Sequence, residues 1–215
     1  MNLINFKYNR YSQKGHDGVI EEACKRLNIV KGFCVEIGAW DGVHLSNTRK
    51  LIEDGWSSIL IEADTSKYNQ CVANNSNYSD RVKCVNALVD CQNIYLENIL
   101  LENGCPKDMD LLSIDVDGDD YHIFDSLKHI KPKLILIETN MLIPISQEHV
   151  SVLGNTIHPI SSSPLSTYLL AKNKGYTPIC FIAHDWLFVR DDLFHLINIQ
   201  QDYRDLYLDG CETIP

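Results

Sequence analysis

The stretch Phe33-Cys34-Val35-Glu36-Ile37-Gly38-Ala39-Trp40-Asp41-Gly42 carries a run of buried-strand character into a turn holding two glycines. That order predicts a strand followed by a sharp turn whose backbone can approach a ligand closely. The spacing is not Gly-x-Gly-x-x-Gly, and acids at Glu36 and Asp41 oppose a diphosphate, so a pyrophosphate cradle is poorly supported. A cationic, ribose-bearing ligand suits those charges better.

The same alternation continues in both directions. Residues 44–54 put Leu45, Thr48, Leu51 and Ile52 on one helical face and stop at Gly55. Further strands are predicted over 58–61, 82–89, 110–116 and 133–137, with helices over 65–74 (capped by Thr65), 93–102 and 120–128. The run 133–137 is almost wholly aliphatic, as a strand covered on both faces requires. Residues 141–163 hold Pro144 and Pro159, lack periodicity and are too long for an ordinary connection, which reads as a lid. A helix over 164–174 follows, with Pro164 in its first turn and Gly175 at its end. Strands over 177–182 and 186–190 are separated by Ala183-His184-Asp185, a hairpin-length connection. Five β/α units closed by a hairpin predict one domain over residues 1–215, an open α/β sheet with helices on both faces.

Composition agrees with one globular domain. The chain has 215 residues, 45% hydrophobic and 22% charged, with 19 Lys+Arg against 29 Asp+Glu and a net charge of −10. This acidity argues against an extended DNA or RNA partner. No apolar run approaches the ~20 residues of a membrane span, and the start lacks a secretory signal, so a cytoplasmic location without membrane insertion is expected. The 8 cysteines are irregularly spaced with no Cys-x-x-Cys pair, which predicts buried free thiols and no zinc site.

Ligands of such sheets bind at the carboxyl ends of the strands. Those ends read Glu36 to Gly42, Glu62-Ala63-Asp64, Asn86-Ala87, Asp115-Val116-Asp117-Gly118-Asp119-Asp120 and Glu138-Thr139-Asn140. Every strand delivers a polar side chain to one edge. Glu62 is placed to accept hydrogen bonds from both hydroxyls of a ribose. Glu36 or Asp41 taken alone reads as a brace of a turn, and it is the five aligned strand ends that favour a site.

Val35-Glu36-Ile37-Gly38-Ala39 with Glu62 is similar to the first two motifs of class I S-adenosylmethionine-dependent methyltransferases. The fuller set resembles the FkbM-type branch and its relatives in surface-polysaccharide gene clusters. It comprises Ser12-Gln13-x-Gly15-x-Asp17-Gly18, Leu45-Ser46-Asn47-Thr48, Gly55-Trp56, Asp115-Val116-Asp117-Gly118-x-Asp120-Tyr121 and Pro132-Lys133, and spans residues 11–190. The resemblance implies a Rossmann-like, seven-stranded, mostly parallel sheet ending in an antiparallel hairpin. It also implies roles. Gly38 approaches the methionine moiety, and Glu36 holds its ammonium group or the loop. Glu62 binds the ribose, and Asn86 with Ala87 meets the adenine. Gln13 and Asn47 reach over the methionine carboxylate, with residues 1–18 covering the cofactor, and Asp115 faces the sulfonium. Trp40 departs from the smaller residues common there and is expected to pack beside the first helix.

Methyl transfer requires alignment of acceptor, methyl and sulfur, and a base if the acceptor is a hydroxyl. Candidate bases are Asp117, Asp120, Glu138 and His184. His122 reads as a surface residue beside the acidic loop and His44 as a helix start. Asp115, Asp117, Glu138 and Asn140 are hard oxygen donors on neighbouring strand ends, suited to magnesium or manganese. An EF-hand is poorly matched, because no glutamate follows at the required interval. The expected activity is O-methylation of a small hydroxylated acceptor, a nucleotide-linked sugar or a phosphoramidate precursor of capsule or surface polysaccharide. Alternatives are an NAD-dependent oxidoreductase and a non-catalytic nucleotide-binding module. The tail, residues 200–215, has aromatic and leucine residues that suit either packing on a neighbouring subunit in a homo-oligomer or packing on its own core.

Overall fold

A computed structural model describes residues 1–92, 95–155, 161–200 and 202–211. Its strands are β1 (Phe33–Ile37), β2 (Ser57–Glu62), β3 (Val82–Asn86), β4 (Leu111–Ile114), β5 (Leu134–Glu138), β6 (Tyr176–Ile182) and β7 (Asp185–Arg190). They form one sheet in the order β3-β2-β1-β4-β5-β7-β6. All neighbours are parallel except β5 with β7 and β6 with β7. This is the expected Rossmann-like sheet, seven-stranded and mostly parallel, with the terminal antiparallel hairpin. The strand order reverses between β1 and β4, which places the switch point beside Gly38 and Asp115.

The helices are α1 (His16–Arg26), α2 (Arg49–Glu53), α3 (Thr65–Asn74), α4 (Leu96–Glu102), α5 (Asp120–Ser126), α6 (Pro164–Asn173), α7 (Phe194–Ile197) and α8 (Tyr203–Cys211). Strand alternation sorts them onto two faces. Val35, Ile37, Leu112, Ile114, Ile135 and Ile137 share a core with apolar residues of α4, α5, α6 and α8. Cys34, Leu111, Leu134 and Leu136 pack instead with Val19, Ile20, Ala23 and Leu51 of α1 and α2. Ser163 caps α6 by accepting from Ser166 N–H, ahead of Pro164 in the first turn.

Several boundaries differ from expectation. The helix predicted over 44–54 is only Arg49–Glu53, because Glu36 draws the residues before it into a loop. Asp64, not Thr65, caps α3 by accepting from Lys67 N–H. The third and fourth strands are shorter than 82–89 and 110–116. Helix α1 was not foreseen. The tail packs on its own core: Leu206 and Tyr207 are buried, and the Tyr207 ring lies 4.7 Å from that of Phe181. All 8 cysteines are free. Among the described residues, no helix is long and apolar enough to cross a membrane.

Candidate active site

Two cavities open at the carboxyl edge of the sheet. The first, of about 230 Å³, is lined by Gly38, Trp40, Glu62, Ala87, Leu88 and Asp115 among others. The second, of about 480 Å³, is lined by Gln13, Glu36, Trp40, His44, Glu138 and His184 among others. Gly38, Trp40, Asp115 and Asp117 belong to both walls, so the cavities adjoin along the switch point.

Glu62 is fixed by backbone donors on either side. One oxygen accepts from Trp40 N–H at 2.7 Å and the other from Asp64 N–H at 2.8 Å. A carboxylate oxygen has two lone pairs, so each can accept a further bond from a ligand in the cavity. Ala87 lines the same cavity, with Leu88 and Val89 extending an apolar wall. Asn86 does not. Its amide nitrogen donates to the carbonyls of Glu62 and Ala63, and its oxygen accepts from Thr65, so it braces the turn.

Glu36 serves the loop. It is buried, and it accepts from Ser46 Oγ and Thr48 Oγ1 on one oxygen and from Asn47 N–H on the other. Burial raises its pKa, and these three donors counter the rise. Asn47 lines neither cavity. Its amide nitrogen donates to Ser113 Oγ at 3.1 Å, while its oxygen is buried without a partner among the described residues. The expected reach of Asn47 over a methionine carboxylate is therefore not seen. Gly38 is required by its own backbone: φ is +78°, and a Cβ there would lie 1.8 Å from the Asp115 carbonyl oxygen.

Asp115, Asp117 and Glu138 place carboxylate oxygens within 4.8 Å of one another. Burial first, then Asp185, Asp120 and Asp117, pushes Asp115 up to about 8. Burial and then Asp115 and Asp120 push Glu138 up to about 9. Both carboxyls hold their protons more tightly than ordinary acids, which suits Glu138 to donating a hydrogen bond more than to accepting a proton. Asp120 is also removed from that role. It is buried, its oxygens accept from Val116 and Gly118 N–H, and burial pushes it up to about 6. Asn140 lines neither cavity, and its oxygen accepts from Leu142 N–H at 3.0 Å. Asp117, at φ +57° in the loop that Asp120 braces, is exposed and reaches both cavities.

Gln13 and His184 meet across the second cavity, Gln13 Nε2 lying 3.3 Å from His184 Nε2. Behind them His16 Nε2 lies 2.8 Å from Asp185 Oδ2, and His16 Nδ1 faces the Gln13 carbonyl. His184 Nε2 is 3.6 Å from the same Asp185 oxygen. These contacts tie the N-terminal segment to the hairpin, and a bridge from Ser12 to Leu45 ties it to the loop after β1. Neither His16 nor Asp185 was singled out from the sequence.

Trp40 is not packed beside the first helix. It is 48% exposed at φ +51°, with the Lys67 ammonium 4.0 Å from its ring. His44 lies in the loop, on the second cavity, and does not start the helix. The half-buried His122 meets the Ser151 carbonyl. The expected lid is docked where it is described. Ser151 Oγ donates to the Gly118 carbonyl, Gly154 N–H to Asp119, and Ser161 Oγ to Glu138. Ser151, Ser161, Ser162 and Ser163 are buried, and Ser163 caps α6; His158 lies outside the described residues.

No family profile matches the sequence, and no curated protein matches it. Solved structures do match its fold. A candidate sarcosine dimethylglycine methyltransferase from Galdieria sulphuraria is 13% identical over 81% of this chain and 70% of its own, with a TM-score of 0.50. The METTL16 methyltransferase domain is 16% identical over 81% and 66%, also at 0.50. Mycoplasma capricolum TrmK, solved with S-adenosylhomocysteine, is 11% identical over 77% and 64%, at 0.46. Candidate RNA and tRNA methyltransferases occur among the other matches. At these identities the likeness is one of fold.

Proposed function

We propose that the chain is an S-adenosylmethionine-dependent methyltransferase acting on a hydroxyl of a small acceptor. The observation that carries this reading is Glu62, fixed by two backbone N–H groups on the wall of a cavity that adjoins a second one along Asp115 and Asp117. The donor set fits the cofactor. Glu62 suits a ribose diol and Ala87 with Leu88 and Val89 an adenine, while a cationic sulfur bound beside Asp115 favours loss of that carboxyl's proton, so that Asp115 and Asp117 face it as carboxylates. S-adenosylmethionine supplies a methyl group already activated by positive sulfur.

The chain's own residues then orient the acceptor and take its proton. The second cavity offers Gln13, His44, Glu138 and His184 for hydroxyl groups, beside the exposed Trp40 ring. That combination suits a sugar, and a nucleotide-linked sugar or phosphoramidate precursor of a surface polysaccharide is the acceptor we favour. Protonated Glu138 can donate a hydrogen bond to a hydroxyl, which leaves Asp117 and His184 as the proton acceptors. Ser151, Gly154 and Ser161 of the expected lid, hydrogen-bonded to Gly118, Asp119 and Glu138, stand on the acceptor side. The acidic rim disfavours nucleic acid as acceptor.

Magnesium or manganese is a second reading of the acidic trio, with Asp115, Asp117 and Glu138 as ligands. Activity lost in EDTA, restored by either ion and lost again in Glu138→Gln supports it; full activity after confirmed metal removal refutes it.

Calorimetric titration with S-adenosylmethionine, S-adenosylhomocysteine and NAD tests the whole reading. Binding of the first two and not the third is expected. NAD binding alone points to an oxidoreductase, and no binding to either rejects the cofactor. Turnover of nucleoside-diphosphate sugars, compared with RNA, then tests the acceptor class.

A further inference from the structure

Cys71 on α3 and Cys84 on β3 bring their sulfurs to 3.5 Å. The pair lies beneath the glycine turn of the first cavity. A Cβ built on Gly42 falls 2.8 Å from Cys71 Sγ, and Ala39 shares a small core with Cys71, Leu60 and Val82, against which Cys84 packs. Each sulfur is also wired to a cavity wall. Helix α3 is capped by Asp64, whose N–H is held by Glu62, and β3 runs directly into Ala87.

The two thiols differ in a way that suits stepwise oxidation. Cys84 is half-buried and Cys71 buried. Either thiol can donate across this contact, and a thiolate at Cys84, the more exposed sulfur, would accept from the Cys71 thiol; the contact with Cys84 and burial raise Cys71. The thiolate is the form that oxidants attack.

We propose that Cys71 and Cys84 form an oxidation site that reacts with hydrogen peroxide and closes to a reversible disulfide, displacing the glycine turn and weakening the cofactor cavity. The Cys84 thiolate attacks one peroxide oxygen, breaking the O–O bond. This yields a sulfenic acid at Cys84 and, with a proton, one water. The Cys71 sulfur then attacks the Cys84 sulfur, expelling hydroxide that takes the Cys71 proton as a second water. Two thiols are oxidised and one peroxide is reduced. A dithiol reductant reverses the step by exchange. Closing a covalent bond across 3.5 Å draws α3 and β3 together under Gly42. The consequence for the cofactor rests on the function proposed above.

The full-length protein is treated with hydrogen peroxide, alkylated and mapped by peptide mass spectrometry, with S-adenosylhomocysteine affinity measured before oxidation, after it, and after dithiothreitol. The expected result is a Cys71–Cys84 disulfide, affinity about tenfold weaker, and recovery on reduction. Cys71→Ser and Cys84→Ser should each retain affinity under peroxide. The wild-type reversal tests the proposal even if a variant fails to fold. Both thiols remaining reduced while other cysteines oxidise overturns it, as does a disulfide with unchanged affinity. If the reduced protein does not bind S-adenosylhomocysteine, the proposed function fails. The oxidation site is then judged by the mapping and by a reversible shift in Trp40 emission, whose absence overturns it.

Discussion

His16 and Asp185 meet through a 2.8 Å contact between side chains only 1% and 5% exposed, one at the start of α1 and the other at the start of β7. The second ring nitrogen of His16 faces the carbonyl of Gln13. Both nitrogens therefore face acceptors, which is the arrangement of a doubly protonated imidazolium. Burial works against that charge, but the Asp185 carboxylate and the Gln13 carbonyl prevail, and the pKa lies above the ordinary 6.5.

Removing one partner leaves the other buried and unpaired. Asp185→Asn or His16→Ala should therefore cost about 3–5 kcal/mol in chemical denaturation. The pH dependence has a definite sign. A histidine raised on folding contributes fully below its unfolded value, and the contribution is lost as pH rises through the folded one. Wild-type stability should fall above pH 6.5, and the Asp185→Asn profile should lack this component. A variant with unchanged stability at pH 6 would contradict the ion pair.

The acidic trio makes a separate prediction. Asp115 and Glu138 bind protons in the folded protein up to about pH 8 and 9, well above their unfolded values. The folded state holds more protons between those limits, so stability declines as pH rises from about 4 toward 9. Asp115→Asn removes one like charge and should stabilise the protein at pH 8 on the order of 1–2 kcal/mol. Thermal melts of both proteins from pH 5 to 9 check this. Destabilisation by Asp115→Asn at pH 8 would show that the carboxylate has an unrecognised partner.

How far the chain can be read without its structure depends on the range of each interaction. Strand β1 and the aliphatic β5 are local patterns, and their order carries the sheet. Glu62, Ala87, Asp115 and Asp117 could be placed because the carboxyl end of a strand has only one location in this fold. Helix α1 was legible in principle from Val19, Ile20, Ala23 and Cys24, but Gly15 and Gly18 obscure its start. The pair His16 and Asp185 is separated by 169 residues, so nothing local announces it. Asn86 and Asn140 carry the right chemistry at strand ends, and Asn47 carries it in the loop after β1. Their side chains turn into the backbone of their own loops or behind the wall, a choice settled by tertiary contacts that spacing does not encode.

Trp40 is half exposed, whereas Trp56 and Trp186 are 2% and 0% exposed. Emission from the wet edge of the spectrum should therefore come from Trp40, and S-adenosylhomocysteine should perturb it. Trp40→Gly relieves the positive φ and should retain cofactor affinity within a few fold, while raising KM for the acceptor. An unperturbed wild-type spectrum at saturation would place the ligand away from both cavities.

The central claim is that Glu62 marks a nucleoside-binding cavity. Its most direct test is calorimetric titration of S-adenosylhomocysteine into wild type, Glu62→Ala and Asn86→Ala. The Asn86 variant is the control, because that side chain braces the same turn without lining the cavity. The account predicts wild-type binding, a small change in Asn86→Ala, and a loss of about 1.5–3 kcal/mol in Glu62→Ala from the missing charge-assisted hydrogen bonds. Equal affinity in wild type and a folded Glu62→Ala protein would contradict it.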